Sequence, residues 1–197
     1  ARLNPDGSLD TGFNAQVDGD VSELALQSDG KILVGGWFSA VNELPRRSLA
    51  RLNADGTLDE AFNVNSDYMD VYALAVQPDD NILVGGYIED VSGEDWADYF
   101  VRLDASGILD TSFQPDTGGS WLDDLKVLAD GKIIAAIYGD LARFFADGSR
   151  DSSFNAPVPL GQSIRTVALQ TDGALVVGGD FIGLDDEPIP YLAQLDA

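Results

Sequence analysis

The sequence predicts an all-β protein made of consecutive small antiparallel sheets. Three observations carry that prediction. One segment recurs four times, acidic two-residue turns sit between short apolar runs in each copy, and no window shows a helical period. The composition agrees, because the 34 acidic residues are 28 Asp and only 6 Glu, and Asp favours turns over helices.

Ala1-Arg2-Leu3-Asn4-Pro5-Asp6-Gly7 returns as Ala50-Arg51-Leu52-Asn53-Ala54-Asp55-Gly56. It returns again as Val101-Arg102-Leu103-Asp104-Ala105-Ser106-Gly107 and as Ala142-Arg143-Phe144-Phe145-Ala146-Asp147-Gly148. Ala193-Gln194-Leu195-Asp196 opens a fifth copy, so the starts lie 49, 51, 41 and 51 residues apart. A single domain of repeats 1–49, 50–100, 101–141 and 142–192 is expected, with the start of a fifth at 193–197.

Each repeat divides into four extended segments. The first runs over 21–27 and is echoed at 71–77, 122–128 and 164–170. A turn follows at Asp29-Gly30, Asp79-Asp80, Asp130-Gly131 and Asp172-Gly173. Asp-Gly between apolar runs marks a hairpin, since Gly accepts the positive φ of a type I′ turn; Asp80 takes that conformation at some cost. The second segment (32–38, 82–88, 133–138, 175–181) is almost continuously apolar, so stacked sheets should bury both its faces. Gly35-Gly36, Gly85-Gly86 and Gly178-Gly179 mark a bulge or a close backbone approach, and Ala135-Ala136 stands for them in the third repeat.

The third and fourth segments flank a second turn. With Asp6 at its centre, Leu3 faces Leu9 and Arg2 faces Asp10; the same offset joins Arg51 to Asp59, Arg102 to Asp110 and Arg143 to Asp151. Opposite charges across a ladder contribute about 0.2–1 kcal/mol each, and these pairs are expected to be structural. Phe13, Phe62, Phe113 and Phe154 follow each Asp and are expected core anchors.

The run Arg-Leu-Asn-x-Asp-Gly-x-Leu-Asp-x-x-Phe-Asn, then Leu-Ala-Leu-Gln-x-Asp-Gly-Lys-Ile-Leu-Val-Gly-Gly, resembles the bacterial delta-60 repeat, a β-propeller-type repeat. It extends over nearly the whole chain, most faithfully in the first two repeats. The third departs by its lost Gly-Gly and shorter length, the fourth by Arg150 where Leu is usual. The resemblance implies a β-propeller-like array of four repeats, each a small four-stranded antiparallel sheet, as found in secreted or cell-surface bacterial proteins. It implies no catalytic residues. Because both ends carry the same third strand, the array is expected to be part of a larger propeller. The alternative is a closed four-bladed ring with one strand left over.

Charge and composition narrow the function. Eleven Lys plus Arg against 34 Asp plus Glu leave −23, which excludes a binder of nucleic-acid phosphates and argues against an anionic membrane surface. No apolar run reaches the ~18 residues of a membrane span, so no membrane insertion is expected. Cys and His are absent, which removes a thiolate nucleophile, a disulfide, zinc or haem ligation of the usual type and a Ser–His relay. The Asn-x-Asp-Gly-x-Leu-Asp runs space carboxylates as a calcium loop does, yet lack its alternating ligands and distal Glu. No cofactor is expected, and calcium is the one ion that the acidic loops would suit.

Three functions stay open. One is a non-catalytic interaction or scaffold module with a protein or glycan ligand. The second is a carbohydrate-binding module with Trp37, Trp96, Trp121 and Tyr68 as stacking platforms, core packing being the competing role of Trp37. The third is a glycan-active enzyme using Asp and Glu, and it is not expected, because no carboxylate pair stands out among so many. Any ligand is expected on the face of the variable connections. There the candidates are Glu94, Asp95, Trp96, Asp98 and Tyr99 of the longest one, Tyr68 between repeats, and Asp185 and Asp186 in the fourth repeat.

Overall fold

The computed structural model describes residues 1–64, 66, 68–89 and 98–195. Four antiparallel sheets follow one another, each ordered inner, middle, outer strand. They are β1 (Asp20–Leu26), β2 (Ile32–Trp37) and β3 (Leu49–Leu52); β4 (Tyr68–Val76), β5 (Ile82–Glu89) and β6 (Asp98–Leu103). Then come β7 (Leu122–Val127), β8 (Ile133–Ile137) and β9 (Asp140–Phe144); β10 (Ile164–Leu169), β11 (Leu175–Gly179) and β12 (Leu192–Leu195). Short two-stranded ribbons, Ala40–Val41 with Leu44–Pro45 and Pro159–Leu160 with Gly183–Leu184, sit near the first and fourth sheets. Among the described residues there is no helix.

Local chemistry closes each inner-to-middle hairpin. The Gly30 N–H donates to the Gln27 carbonyl at 3.0 Å and the Gln27 N–H to the Lys31 carbonyl at 3.0 Å. Gly30 carries a positive φ of 84° while Asp29 does not. This is a type I turn followed by a left-handed bulge residue, not the expected type I′ turn, which needs positive φ at both central positions. Asp29 instead accepts the Lys31 N–H at 3.0 Å, a side-chain bond that stabilises the turn; Asp79, Asp130 and Asp172 repeat it. Asp80 takes the glycine place with φ 63°.

The fourth segments differ from full strands. Each pairs through one bridge: Leu3 with Leu9, Leu52 with Leu58, Leu103 with Leu109, Phe144 with Arg150. The chain then turns at once, the Phe62 N–H donating back to the Asp59 carbonyl (3.2 Å) and Phe113 to Asp110 (3.1 Å), so no ladder propagates. Register corrects a second detail. Ala136-Ile137, rather than Ala135-Ala136, occupies the Gly-Gly place of the third repeat, since Ala136 pairs with Leu141 as Gly35 pairs with Leu49.

Each inner strand packs on the middle strand of the sheet before it. Leu33 and Leu49 meet Val71 and Leu74; Leu83 and Phe100 meet Leu122 and Leu125; Ile134 and Leu141 meet Ile164 and Val167. At Gly35 the approach is so close that an added Cβ would stand 2.6 Å from Val71 and 2.7 Å from Leu74. The other face of the first sheet is covered in part by Phe13, Ala15 and Val17. Among the described residues no core joins the fourth sheet to the first, so the alternative of a closed four-bladed ring is not formed. The four sheets make an open arc, consistent with part of a larger propeller.

Candidate functional site

The strands send their constant Asp-containing turns to one end of the sheets and their variable connections to the other. The constant end is a chain of clamps. Arg2, Arg51, Arg102 and Arg143 pair with Asp10, Asp59, Asp110 and Asp151 at 2.7, 2.9, 2.6 and 2.9 Å. Each guanidinium also lies over the phenylalanine of its own hairpin, at 4.8, 4.5, 4.7 and 4.7 Å from Phe13, Phe62, Phe113 and Phe154. Three of them reach on to the next repeat, where Arg2, Arg51 and Arg102 donate to the carbonyls of Ala54, Ala105 and Ala146. These side chains join neighbouring repeats, and their chemistry is consumed by doing so.

Lys31 adds a second cation to Asp59 at 3.1 Å and Lys132 one to Asp151 at 3.4 Å, but the second repeat has Asn81 in that place. Among the described residues Arg102 is therefore the cation paired with Asp110, whose carboxyl is held down to about 2 by hydrogen bonds from Ser112 and Arg102. We expect Arg102→Ala to lower stability at neutral pH by roughly 1–3 kcal/mol, mainly by leaving that carboxylate unpaired. A depressed carboxyl stabilises the fold above its unfolded value, and the contribution is lost as pH falls through the folded one. The wild-type advantage should therefore shrink between about pH 4 and pH 2, read from urea midpoints across that range. A gap that stays constant across it would contradict the assignment.

The turn carboxylates are equally committed. Asp6 accepts the Ser8 N–H at 2.9 Å and its hydroxyl at 2.7 Å, and Asp55 and Asp147 repeat this; in the third repeat Asp104, at the place of Asn4, accepts instead from the Ser106 N–H and hydroxyl and the Ile108 N–H. Among the described residues no group of three or more acidic side chains is arranged to hold a metal ion.

The variable end is concave. One hollow is lined by Asp18, Trp37, Phe38, Arg47, Ser48 and Asp70 among others. A second is lined by Asp70, Tyr72, Tyr87, Glu89 and Trp121. The two adjoining hollows share Asp70 and are termed the furrow; their lining residues come from the first three repeats. Each holds an exposed tryptophan: Trp37 is 68% and Trp121 44% accessible, so Trp37 is not a core residue. Trp121 meets Tyr138 edge to face at 5.5 Å, and Tyr87 meets Tyr99 at 6.0 Å while its hydroxyl donates to Glu89 Oε1 at 2.6 Å.

Of the expected site residues, Glu94, Asp95 and Trp96 lie outside the described residues. Tyr68 and Asp98 pair within the second sheet, opposite Glu89 and Ile88. Tyr99 backs the furrow through Tyr87. Asp185 is exposed and ties its loop to residue 158, its carboxylate accepting the Val158 N–H at 3.0 Å while its own N–H donates to the Val158 carbonyl at 2.8 Å. Asp186 is exposed beside it. Asp70, Tyr72, Tyr87 and Glu89 are furrow residues that the sequence did not single out.

The inner strands add two unusual acids. Burial pushes the Glu23 carboxyl up against the opposing pull of Lys126, and burial does the same to Asp123 against Arg165. Asp124 between them ties sheets together, accepting from Lys126 at 2.6 Å and, across to β10, from Thr166 Oγ1 at 2.9 Å and the Val167 N–H at 2.8 Å.

Several solved structures share the fold. A gluconolactonase from Xanthomonas campestris is 17% identical with a TM-score of 0.59, over 97% of this chain and 63% of that one. The extracellular domain of a putative one component system of B. thetaiotaomicron is 11% identical with a TM-score of 0.53, over 88% and 21%. Regucalcin, a calcium-binding protein from Agrobacterium tumefaciens, is 16% identical with a TM-score of 0.51, over 87% and 59%. The chain spans less than two thirds of the length of each. No curated protein matches the sequence. The family model described as a domain of unknown function (DUF5122) beta-propeller matches residues 1–13, 27–62, 77–113 and 128–154, more than half of the chain, and the chain belongs to that β-propeller family.

Proposed function

We propose that this domain, built of repeats of the delta-60 type, is a non-catalytic carbohydrate-binding module of a secreted or cell-surface bacterial protein. The observation that carries the reading is the furrow, whose two hollows share Asp70 and each hold one exposed tryptophan, Trp37 or Trp121. Exposed indole faces suit the apolar faces of pyranose rings, and flanking carboxylates accept sugar hydroxyls; two platforms in adjoining hollows suit an oligosaccharide. The likeness to an extracellular domain supports the location.

The test is calorimetric titration with a panel of soluble oligosaccharides. Trp121→Ala and Trp37→Ala should each weaken binding by about tenfold or more, as removal of an aromatic anchor commonly does. Absence of binding across the panel would refute the glycan reading. Turnover of a lactone or polysaccharide would refute the non-catalytic one.

A further inference from the structure

Among the described residues one buried hydroxyl is left unused by the fold. Ser48 is 1% exposed, and its Oγ has no hydrogen-bond partner. Its backbone is fully engaged: the Gly36 N–H donates to the Ser48 carbonyl and the Ser48 N–H to the Phe38 carbonyl, both at 3.0 Å. Buried polar atoms are almost always paired, so an orphan at a hollow marks a place where a partner comes from outside. Ser48 lines the first hollow of the furrow together with Trp37, Phe38 and Met69. Phe38 and Met69 are themselves buried, which makes that part of the wall apolar. Comparison between repeats shows why there is room. Leu49 pairs with Gly35 and Phe100 with Gly85, so Tyr99 holds the place of Ser48 in the second sheet, as Tyr87 holds that of Trp37. Tyr99 backs Tyr87 edge to face at 6.0 Å. In the first sheet a serine stands in place of that ring, and a hollow of about 270 Å³ opens there.

We propose, resting on the carbohydrate reading, that the first hollow is a subsite for a 2-acetamido sugar. The sugar ring stacks on Trp37, and the acetamido methyl group lies against Phe38 and Met69. Its carbonyl oxygen accepts from the Ser48 hydroxyl. The amide N–H donates to the Asp70 carboxylate, whose two oxygens offer about four acceptor sites between them. Asp18 is not that acceptor, because it already takes the Ser39 N–H and hydroxyl and the Ala40 N–H. The second hollow has no such wall. It offers the aromatic rings of Tyr72, Tyr87 and Trp121 with the carboxylates of Asp70 and Glu89, which suit a ring bearing hydroxyls alone. Arg47 at the first hollow is exposed, yet both hollows carry carboxylates and the chain carries −23. That field opposes an acidic sugar.

Chitotetraose and cellotetraose test this, because they share one backbone and differ in the acetamido group. Calorimetric titration should show chitotetraose binding about tenfold tighter or more. Ser48→Ala should cut that preference by about tenfold, the worth of one hydrogen bond, and leave the affinity for cellotetraose unchanged. Ser48→Tyr should fill the hollow and remove the preference. The fold should accept it, since Tyr191 holds the same place in the fourth sheet with φ 68° against 57° for Ser48 and the same two backbone bonds, at 3.1 and 2.9 Å. Circular dichroism checks this, and Ser48→Ala alone decides if the tyrosine is not accommodated. Tighter binding of any sugar without an acetamido group, neutral or acidic, would overturn the assignment and leave the carbohydrate reading standing. A preference for chitotetraose untouched by the Ser48 substitutions would do the same, because the serine would then be a matter of packing alone. No binding of any oligosaccharide would overturn both.

Discussion

Phe62→Ala should lower the free energy of unfolding by about 3–5 kcal/mol, the range for an aromatic removed from a packed core. Phe62 is fully buried and packs with Met69, Leu103 and the rest of the core between the first two sheets. Arg51 lies over its ring at 4.5 Å, and an added Cβ on Gly107 of the next repeat would stand 2.9 Å from it. The truncation therefore opens a cavity, strips the stacking surface from a buried arginine and loosens the joint between successive repeats. Phe13 holds the same place at the start of the chain but is only half-buried. Phe13→Ala should cost clearly less. Urea titrations of the two variants check the order, and equal losses would show that the repeat contacts do not set the energetics.

The constant parts of the repeats were legible because their spacing is the signal. An arginine and an aspartate eight residues apart across an acidic turn must meet if the turn forms, and all four pairs do. The turn type was misread because Asp-Gly also suits a type I turn with a glycine bulge, and a carboxylate bonding forward to the backbone selects that form. The fourth segment was over-read as a strand because Leu58 and Leu109 keep the apolar pattern, while the chain reverses just after them.

The furrow was hidden for a different reason. Trp37, Asp70 and Trp121 come from three different repeats; Trp121 stands at the repeat position of Asp20 and Asp70, and Trp37 at that of Tyr87 and Tyr138, so the change of residue type from repeat to repeat hides them. A usable signal was present in the inner strands. Each carries a bulge, and the bulged residues are Ser22, Tyr72, Asp123 and Arg165, chemically unlike one another beside the conserved-looking apolar pattern of Leu24, Leu74, Leu125 and Val167. A bulge re-aims a side chain: Ser22 donates to the Val71 carbonyl of the next sheet at 2.6 Å, while Tyr72 lines the second hollow.

Gly86→Ala should couple fold and furrow. Gly86 pairs with Val71 and has φ 157°, and a Cβ there would stand 1.9 Å from the Asp70 carbonyl oxygen. The third sheet tolerates Ile137 at this place because its ladder ends there, at Leu122. In the second sheet the ladder runs on through Asp70, Met69 and Tyr68, so neither backbone can step aside without breaking those pairs. A loss of roughly 2–4 kcal/mol is expected from the forced displacement. The displaced backbone carries Asp70, the wall common to both hollows, so any glycan bound there should weaken at temperatures where the variant is still folded. Gly118→Ala is the matched control: φ is 64° but the space around it is open, so about 1 kcal/mol and unchanged binding are expected. If Gly86→Ala proved no more costly than Gly118→Ala, the close approach of the strands at Asp70 would not be what holds the furrow in shape.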